Sequence, residues 1–348
     1  AWPWTLWSLK LDLLIGLPGI VNLIKLSPSL HFSYYKTNKE LMKGYFMNKS
    51  KLKEFCKSIG LKCIGIAGVG PYNSLERIIK HRLLNGHVTG MEEQILENRI
   101  NAKHIMQDAK SIIVCAFPYY IGEKENSNLS KYCYGKDYHI VAKDILQKIC
   151  NYLATEINGF EYKTFVDNGP LVDRHLAYLS GIGYFGINNN IITDEYGSYV
   201  FIGYIINNYE FHSDEPLPKT CIKCGKCVEY CPGNALLGSF EMNPKRCLSY
   251  LTQKKEELSK EELKILKSGD KVFGCDICQY VCPHNKHILK TNIQEFMENI
   301  INRLDYNEIS NISNKEFKRR YGDRAFSWRG KNIIKRNMEL LNKESDGE

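Results

Sequence analysis

At 348 residues, 43% hydrophobic and 25% charged, the chain has ordinary globular composition. That excludes a disordered or collagen-like polymer and leaves room for two domains. A net charge of +8 permits an anionic partner without showing one. Thirteen cysteines is the unusual figure, and eight of them fall between Cys221 and Cys282. Spacings that tight point to metal rather than to a disulfide scaffold.

Residues 1–46 read differently from the rest. Three of the four tryptophans, Trp2, Trp4 and Trp7, sit in the first seven positions. The apolar run Leu11 to Leu26 is 16 residues long and holds Asp12, Pro18 and Lys25, short of the roughly 20 residues a membrane span needs. The expectation is upstream translated sequence or a wrongly assigned start, with the natural start at Met47. Residues 1–46 carry five Lys and two acids, so the net charge of 47–348 is 8 − 3 = +5.

From Met47 onward the pattern predicts elements in turn. Helices are expected over 48–59 and 74–84, and strands over 61–67 and 111–117. Val141, Ile145, Leu146, Ile149, Leu153 and Ile157 share one face of a helix over 136–157. Strand-like runs follow at 162–166, 189–193 and 199–206. Helices alternating with strands indicate an α/β domain over 47–214. A cysteine-rich domain covers 215–290, and a basic helical tail covers 291–348.

The cysteines carry the sharpest signal. CIKCGKCVEYCP (221–232) is C-x2-C-x2-C-x3-C-P, the bacterial ferredoxin run, whose fourth cysteine ligates a second cluster. CDICQYVCP (275–283) is one cysteine short of a repeat, and Cys247 can supply it. Eight thiolates then hold two [4Fe–4S] clusters. Cluster one takes Cys221, Cys224, Cys227 and Cys282. Cluster two takes Cys231, Cys247, Cys275 and Cys278. Structural zinc is the rival, but zinc ribbons use paired C-x2-C knuckles. Cys56, Cys63, Cys115, Cys133 and Cys150 read as packing residues. Low-potential clusters need a reducing compartment, so a cytoplasmic protein is expected.

In FVDNGPLVDR (165–174) Asp167 ends a strand and Asn168-Gly169-Pro170 turns the chain. A carboxylate there lines a site or stabilises a turn. GIGYFG (181–186) matches G-x-G-x-x-G but follows a helix and leads into a strand, the reverse of the dinucleotide fingerprint.

The ordered set GKDYH (135–139), VDNGPLVDR (166–174), GIGYFGINN (181–189), EYGSYVFIG (195–203), RCLSYLT (246–252), GCDICQYVCPHN (274–285) and SWRG (327–330) resembles the epoxyqueuosine reductase family over about residues 47–340. The resemblance implies a cobalamin-binding α/β domain joined to a ferredoxin-like domain with two [4Fe–4S] clusters and a short helical tail. It implies an oxidoreductase that converts epoxyqueuosine at the tRNA wobble position to queuosine. Removing the epoxide oxygen takes two electrons and two protons and releases water. The resemblance implies Asp167 as the acid, and a carboxyl buried beside a corrin can hold a raised pKa. It further suggests a cobalamin and substrate pocket of Arg99, Tyr138, His139, Arg174, Asn188 and Ser249. The chain departs from the family pattern at Ile187, where Lys is common, and at Tyr132-Cys133-Tyr134. It resembles the short form, without helical repeats after the ferredoxin part.

Between Lys318 and Arg336 stand eight Lys or Arg and one acid, Asp323, with Tyr321, Phe326 and Trp328 among them. With a tRNA substrate this predicts RNA contact by Arg319, Arg320, Trp328 and Arg329. The expected partners are that tRNA and a low-potential electron donor, with no membrane and a monomeric state. Two rivals remain. One is a corrinoid reductase of the reductive dehalogenase type, which usually carries a twin-Arg signal that is missing near this N-terminus. The other is a ferredoxin-like electron carrier, which would have little use for the residues from Asp167 to Asn190.

Overall fold

The computed structural model describes residues 49–342. The expectation for residues 1–46 and the proposed start at Met47 lie outside them. The sheet, the cysteine-rich segment and the tail all lie in one compact unit that begins at Leu52.

A first helix, α1, runs over residues 49–58. After it come β1 (Cys63–Ala67), α2 (Asn73–Leu84), α3 (Leu96–Ile100), β2 (Ser111–Pro118), α4 (Tyr138–Glu156) and β3 (Tyr162–Val166). Next are α5 (Asp173–Leu179), a two-residue hairpin of β4 (Tyr184–Phe185) with β5 (Ile191–Ile192), and β6 (Val200–Asn207). The run at 189–193 therefore forms only a short hairpin arm. The loop it closes, residues 186–190, holds three consecutive asparagines.

The main sheet has the order β1-β2-β6-β3 and every pair is antiparallel. Alternating helices and strands favour parallel crossovers, yet here β6 inserts between β2 and β3, so this is a mixed helix–sheet layer without βαβ units. Period-2 alternation divides the side chains between two faces. Ile113, Cys115 and Phe117 of β2 pack with Leu52 and Cys56 of α1 and with Val141, Leu146 and Ile149 of α4. Ile112 and Val114 pack on the other face with Ile79 of α2 and Leu176 of α5. Cys56, Cys115 and Cys150 are buried in the first of these cores.

The cysteine-rich part contributes α6 (Lys226–Glu229), β7 (Leu236–Gly238), β8 (Glu241–Met242), α7 (Leu248–Leu251), α8 (Lys260–Lys267) and α9 (Ile277–Tyr280). The tail forms α10 (Tyr306–Asn311), α11 (Asn314–Tyr321) and α12 (Lys331–Asn342). A third core joins Leu129, Cys133 and Tyr134 to Phe273 and to Leu304, Phe317, Phe326 and Met338. The three segments distinguished by composition thus share apolar contacts. Among the described residues no helix is long and apolar enough to cross a membrane.

Candidate active site

Cys221, Cys224, Cys227 and Cys282 line one cavity with about 280 Å³ of empty space. Gly225, at φ 79, turns the chain into α6 and so carries Cys227 inward. The Lys223 N–H reaches Cys221 Sγ at 3.4 Å. Burial raises the Cys227 thiol to about 11, and Cys282, Cys221 and Cys224 add to the shift. The second quartet behaves alike. Burial pushes Cys275 up to about 12, with Cys247 and Cys231 contributing. Cys278 is raised by burial, then by Cys275, Cys247 and Cys231. Thiolates that repel one another in this way ionise together only around a positive core. Among the described residues no group of His, Cys, Asp or Glu is tight enough for a single metal ion, whereas a cubane spreads its four ligands wider.

A second, larger cavity of about 640 Å³ opens beside the second quartet. Tyr138, Asp167 and Arg174 line it, as do Tyr119, Tyr132, Asp173, Asn190, Phe201 and Gln279. Asn190 connects the two features, because its Nδ2 lies 3.9 Å from Cys278 Sγ.

Asp167 stands at the end of β3 in a left-handed conformation, φ 59. Two tight turns follow, with Asn168 N–H donating to the Val166 carbonyl and Gly169 N–H to that of Asp167, each at 2.8 Å. A side chain on Gly169 would strike the Tyr204 ring and hydroxyl, so glycine lets the turn close. At the start of α4, Asp137 accepts from the His139 N–H at 2.9 Å and holds His139 Nδ1 at 2.8 Å. That leaves His139 Nε2 facing Asp167 Oδ2 at 3.5 Å. The Tyr138 hydroxyl donates to the same oxygen at 2.6 Å.

Burial would raise Asp167, but the facing His139 imidazole, the Tyr138 hydrogen bond and the Arg174 charge hold it below the usual carboxylate range. Its side chain is half-exposed. The raised acid is its neighbour Asp173, pushed to about 6 by burial. Burial disfavours the His139 cation, but Asp137 and Asp167 outweigh it and lift His139 to about 9.

The other pocket candidates are placed differently. Asn188 lines the first cavity, and its Nδ2 donates to the Cys278 carbonyl at 3.3 Å. Ser249 lies on α7, where its carbonyl accepts from Gln253 Nε2 at 2.9 Å. Arg99, on α3, is close enough to Arg82 to lower that residue's pKa. None of these three is part of the larger cavity's lining. Ile187 packs with Cys221 and Cys227. Sequence reasoning missed Tyr119, Asp173, Asn190, Phe201 and Gln279. Asp173, Phe201 and Gln279 lie inside the quoted motifs VDNGPLVDR, EYGSYVFIG and GCDICQYVCPHN, so a signal stood beside each of them.

The tail's cations are largely spoken for. Arg319 and Arg320 both bond Glu316, at 2.6 and 2.5 Å, and Arg320 also bonds Glu308 at 2.8 Å. Lys331 Nζ donates to the Ile312 carbonyl and Arg336 Nη1 to that of Lys254. Arg324 is buried. The acids that neutralise the two arginines lie outside the basic segment, so its composition overstated its free charge. Trp328 is 54% exposed. Arg329 stacks over its ring at 3.7 Å, and the indole Nε1 donates to Gln253 Oε1 at 3.0 Å.

Two family models match. A 4Fe-4S double cluster binding domain covers residues 220–285, and epoxyqueuosine reductase QueG, DUF1730, covers residues 99–168. The epoxyqueuosine reductase of Bacillus anthracis is 38% identical over 305 residues, 84% of this chain and 79% of the relative. A crystal structure of epoxyqueuosine reductase with an epoxyqueuosine-modified tRNA-Tyr stem loop superposes with a TM-score of 0.80 at 34% identity. It covers 85% of this chain and 81% of that one. The Bacillus subtilis enzyme, with its catalytic aspartate loop swung out of the active site, gives the same TM-score, identity and coverage. The chain belongs to the epoxyqueuosine reductase family.

Proposed function

We propose that this protein reduces the epoxide of epoxyqueuosine in tRNA, yielding queuosine and water. The observation that carries the reading is the second cavity, where Asp167 with its proton-bearing neighbours faces a thiol quartet across Asn190.

The eight cysteines fit two [4Fe–4S] clusters, since they form two all-thiol quartets and the double-cluster family model spans them. Of the eight, Cys224 is exposed, so a cluster held by the first quartet would be the more open to a low-potential donor. A cluster held by the second quartet would lie on the cavity side, where Asn190 meets Cys278.

With Tyr119, Tyr132, Tyr138 and Phe201 on its wall, the larger cavity would offer a flat macrocycle an aromatic surface. Tyr138 and Phe201 stack 4.0 Å apart at 8° on its wall, giving a rigid aromatic edge. Asp167, Asp173, Arg174 and Asn190 put polar groups on the rest of its lining and would meet the edge of the group or the substrate beside it. Cobalamin bound there would supply reduced cobalt able to attack carbon–oxygen bonds.

The chain's own part is proton delivery. The Asp167 carboxylate is oriented by Tyr138 and faces the His139 imidazolium. A proton passed from His139 Nε2 to Asp167 and on to the epoxide oxygen neutralises the developing alkoxide, which is general acid catalysis. Asp137 holds Nδ1 and so keeps Nε2 turned toward Asp167.

The deciding assay uses protein reconstituted anaerobically with iron, sulfide and cobalamin, reduced and given epoxyqueuosine-containing tRNA. Mass spectrometry of the digested nucleosides should show loss of one oxygen, and Asp167→Asn should abolish it. Retention of the oxygen with both clusters and corrin bound would refute the substrate.

A further inference from the structure

The loop between β4 and β5 carries a polar group that the chain leaves unsatisfied. Asn189 is 6% exposed. Its carboxamide oxygen accepts from Arg82 Nη2 at 2.6 Å, and its backbone carbonyl accepts from Arg174 Nη1 at 3.1 Å. The Arg82 bond fixes which end of the amide is which. The Nδ2 donor is therefore turned away from Arg82, and it is buried with no partner. An amide donor in that condition is costly unless a ligand accepts from it.

Three arginines stand within one another's field at the same place, with Asp167 and Asp173 on the Arg174 side. Burial depresses the Arg82 pKa, and Arg174 and Arg99 depress it further by repulsion. The carboxylates that Arg82 feels, Glu241 and Glu92, are engaged elsewhere. Glu92 accepts from the Thr89 and Gly90 N–H groups, and Glu241 faces His81 at 3.7 Å. Arg174 and the neighbouring Asn190 both line the larger cavity, so this cluster stands at its rim.

We infer that Arg82, Arg174 and the Asn189 amide form a binding site for the phosphate of a phosphodiester. Two guanidinium forks and a neutral N–H offer donors from several directions and no acceptor, which suits a tetrahedral oxyanion. Arg82 reaches the loop from α2, across 107 residues of sequence. The choice of source rests on the proposed function. The phosphate belongs either to the RNA backbone beside the wobble nucleotide or to the nucleotide tail of a corrinoid.

The test measures binding rather than turnover, in protein carrying both clusters. Wild type, Arg82→Gln and Asn189→Asp are titrated with an anticodon stem-loop RNA at several salt concentrations. The same proteins are titrated with cobalamin and with cobinamide, which lacks the phosphodiester. If the RNA supplies the phosphate, both variants weaken RNA binding by about tenfold and flatten its salt slope by about one unit, with corrinoid binding unchanged. If the corrinoid supplies it, the preference for cobalamin over cobinamide falls by about tenfold while RNA binding holds. Unchanged binding in both titrations overturns the site. So does equal weakening toward cobalamin and cobinamide with a shifted cluster potential, which would mean that Nδ2 serves cluster sulfur instead. If wild type binds neither RNA nor corrinoid, the functional reading fails, and inorganic phosphate alone decides the site. Saturable binding lost in Arg82→Gln then supports it, and no binding overturns it. Cluster absorbance and melting temperature check folding. Should Arg82→Gln not fold, Arg82→Lys keeps the charge, loses the fork, and is expected to give a smaller loss in the same titrations.

Discussion

The Tyr138 hydroxyl and Asp167 Oδ2 are joined by a 2.6 Å hydrogen bond between the first turn of α4 and the loop after β3. Tyr138 is itself clamped, stacked on Phe201 and against His139. The phenol thus fixes where the carboxylate points while leaving it half-exposed to the cavity.

Tyr138→Phe removes that bond and leaves the stacking intact. A hydrogen bond to a charged group is worth about 1.5–3 kcal/mol, so single-turnover reduction should slow by roughly 10- to 100-fold. Binding of tRNA should change little. A weakened Kd with an unchanged rate constant would show that Tyr138 holds substrate rather than Asp167.

His139 makes activity depend on pH. Its folded pKa is raised to about 9, so the imidazolium persists through neutrality. Its contribution to stability is complete below its unfolded value near 6.5 and is lost as pH rises through about 9. The rate of reduction should fall across the same upper window. In His139→Gln that upper limb should disappear. A profile that stays unaltered in the variant would remove His139 from proton delivery.

Asp173 has the opposite bearing. Burial raises its pKa to about 6, so the folded state binds the proton more tightly than the unfolded chain. Its effect is that stability declines as pH climbs from about 4 to about 6. Asp173→Asn should therefore be more stable at pH 7.5, by at most about 3 kcal/mol, and show a flatter dependence between pH 4 and 6. Urea unfolding across that range measures it. Destabilisation at pH 7.5 would mean that the charged form is needed beside Arg174.

The quartets can be separated by iron content and electron paramagnetic resonance. Cys247→Ala should lower iron from about eight per chain to about four and remove the signal of the cluster beside the larger cavity. Cys224→Ala should affect the other signal. Identical spectra from the two variants would contradict the pairing of Cys247 with Cys231, Cys275 and Cys278.

For RNA, Trp328 and Arg329 should matter more than Arg319 and Arg320. The latter pair is neutralised by Glu316 and Glu308, whereas Trp328 offers an exposed face with Arg329 stacked on it. Loss of a base-stacking aromatic costs about 1–3 kcal/mol, so Trp328→Ala should weaken stem-loop binding by roughly 5- to 150-fold. Arg320→Gln should weaken it by less than about threefold, as expected of an exposed paired charge. The reverse order in a filter-binding titration would place RNA along α11 instead.

Much of this molecule was written in short-range pattern. The ferredoxin spacing holds its cysteines within a few residues of one another, and the apolar face of α4 repeats every turn. Those signals are local because a tight turn or a helix is built by neighbours. The strand at Tyr162–Val166 and the turn at Asp167 were legible for the same reason.

Composition and spacing alone thus settled the thiol-rich chemistry, the helical faces and most strand positions. Tertiary structure decided the rest. It set β6 between β2 and β3 and made the sheet antiparallel, a pairing of residues far apart in sequence. It drew Asp137, His139 and Asp167 into line, and so left Asp167 with a lowered pKa and Asp173 with a raised one. It brought Glu308 to Arg320, and Arg82 to Asn189. A pKa, a neutralised charge or an orphaned amide depends on what lies within a few ångströms in space, and only the folded chain determines those neighbours.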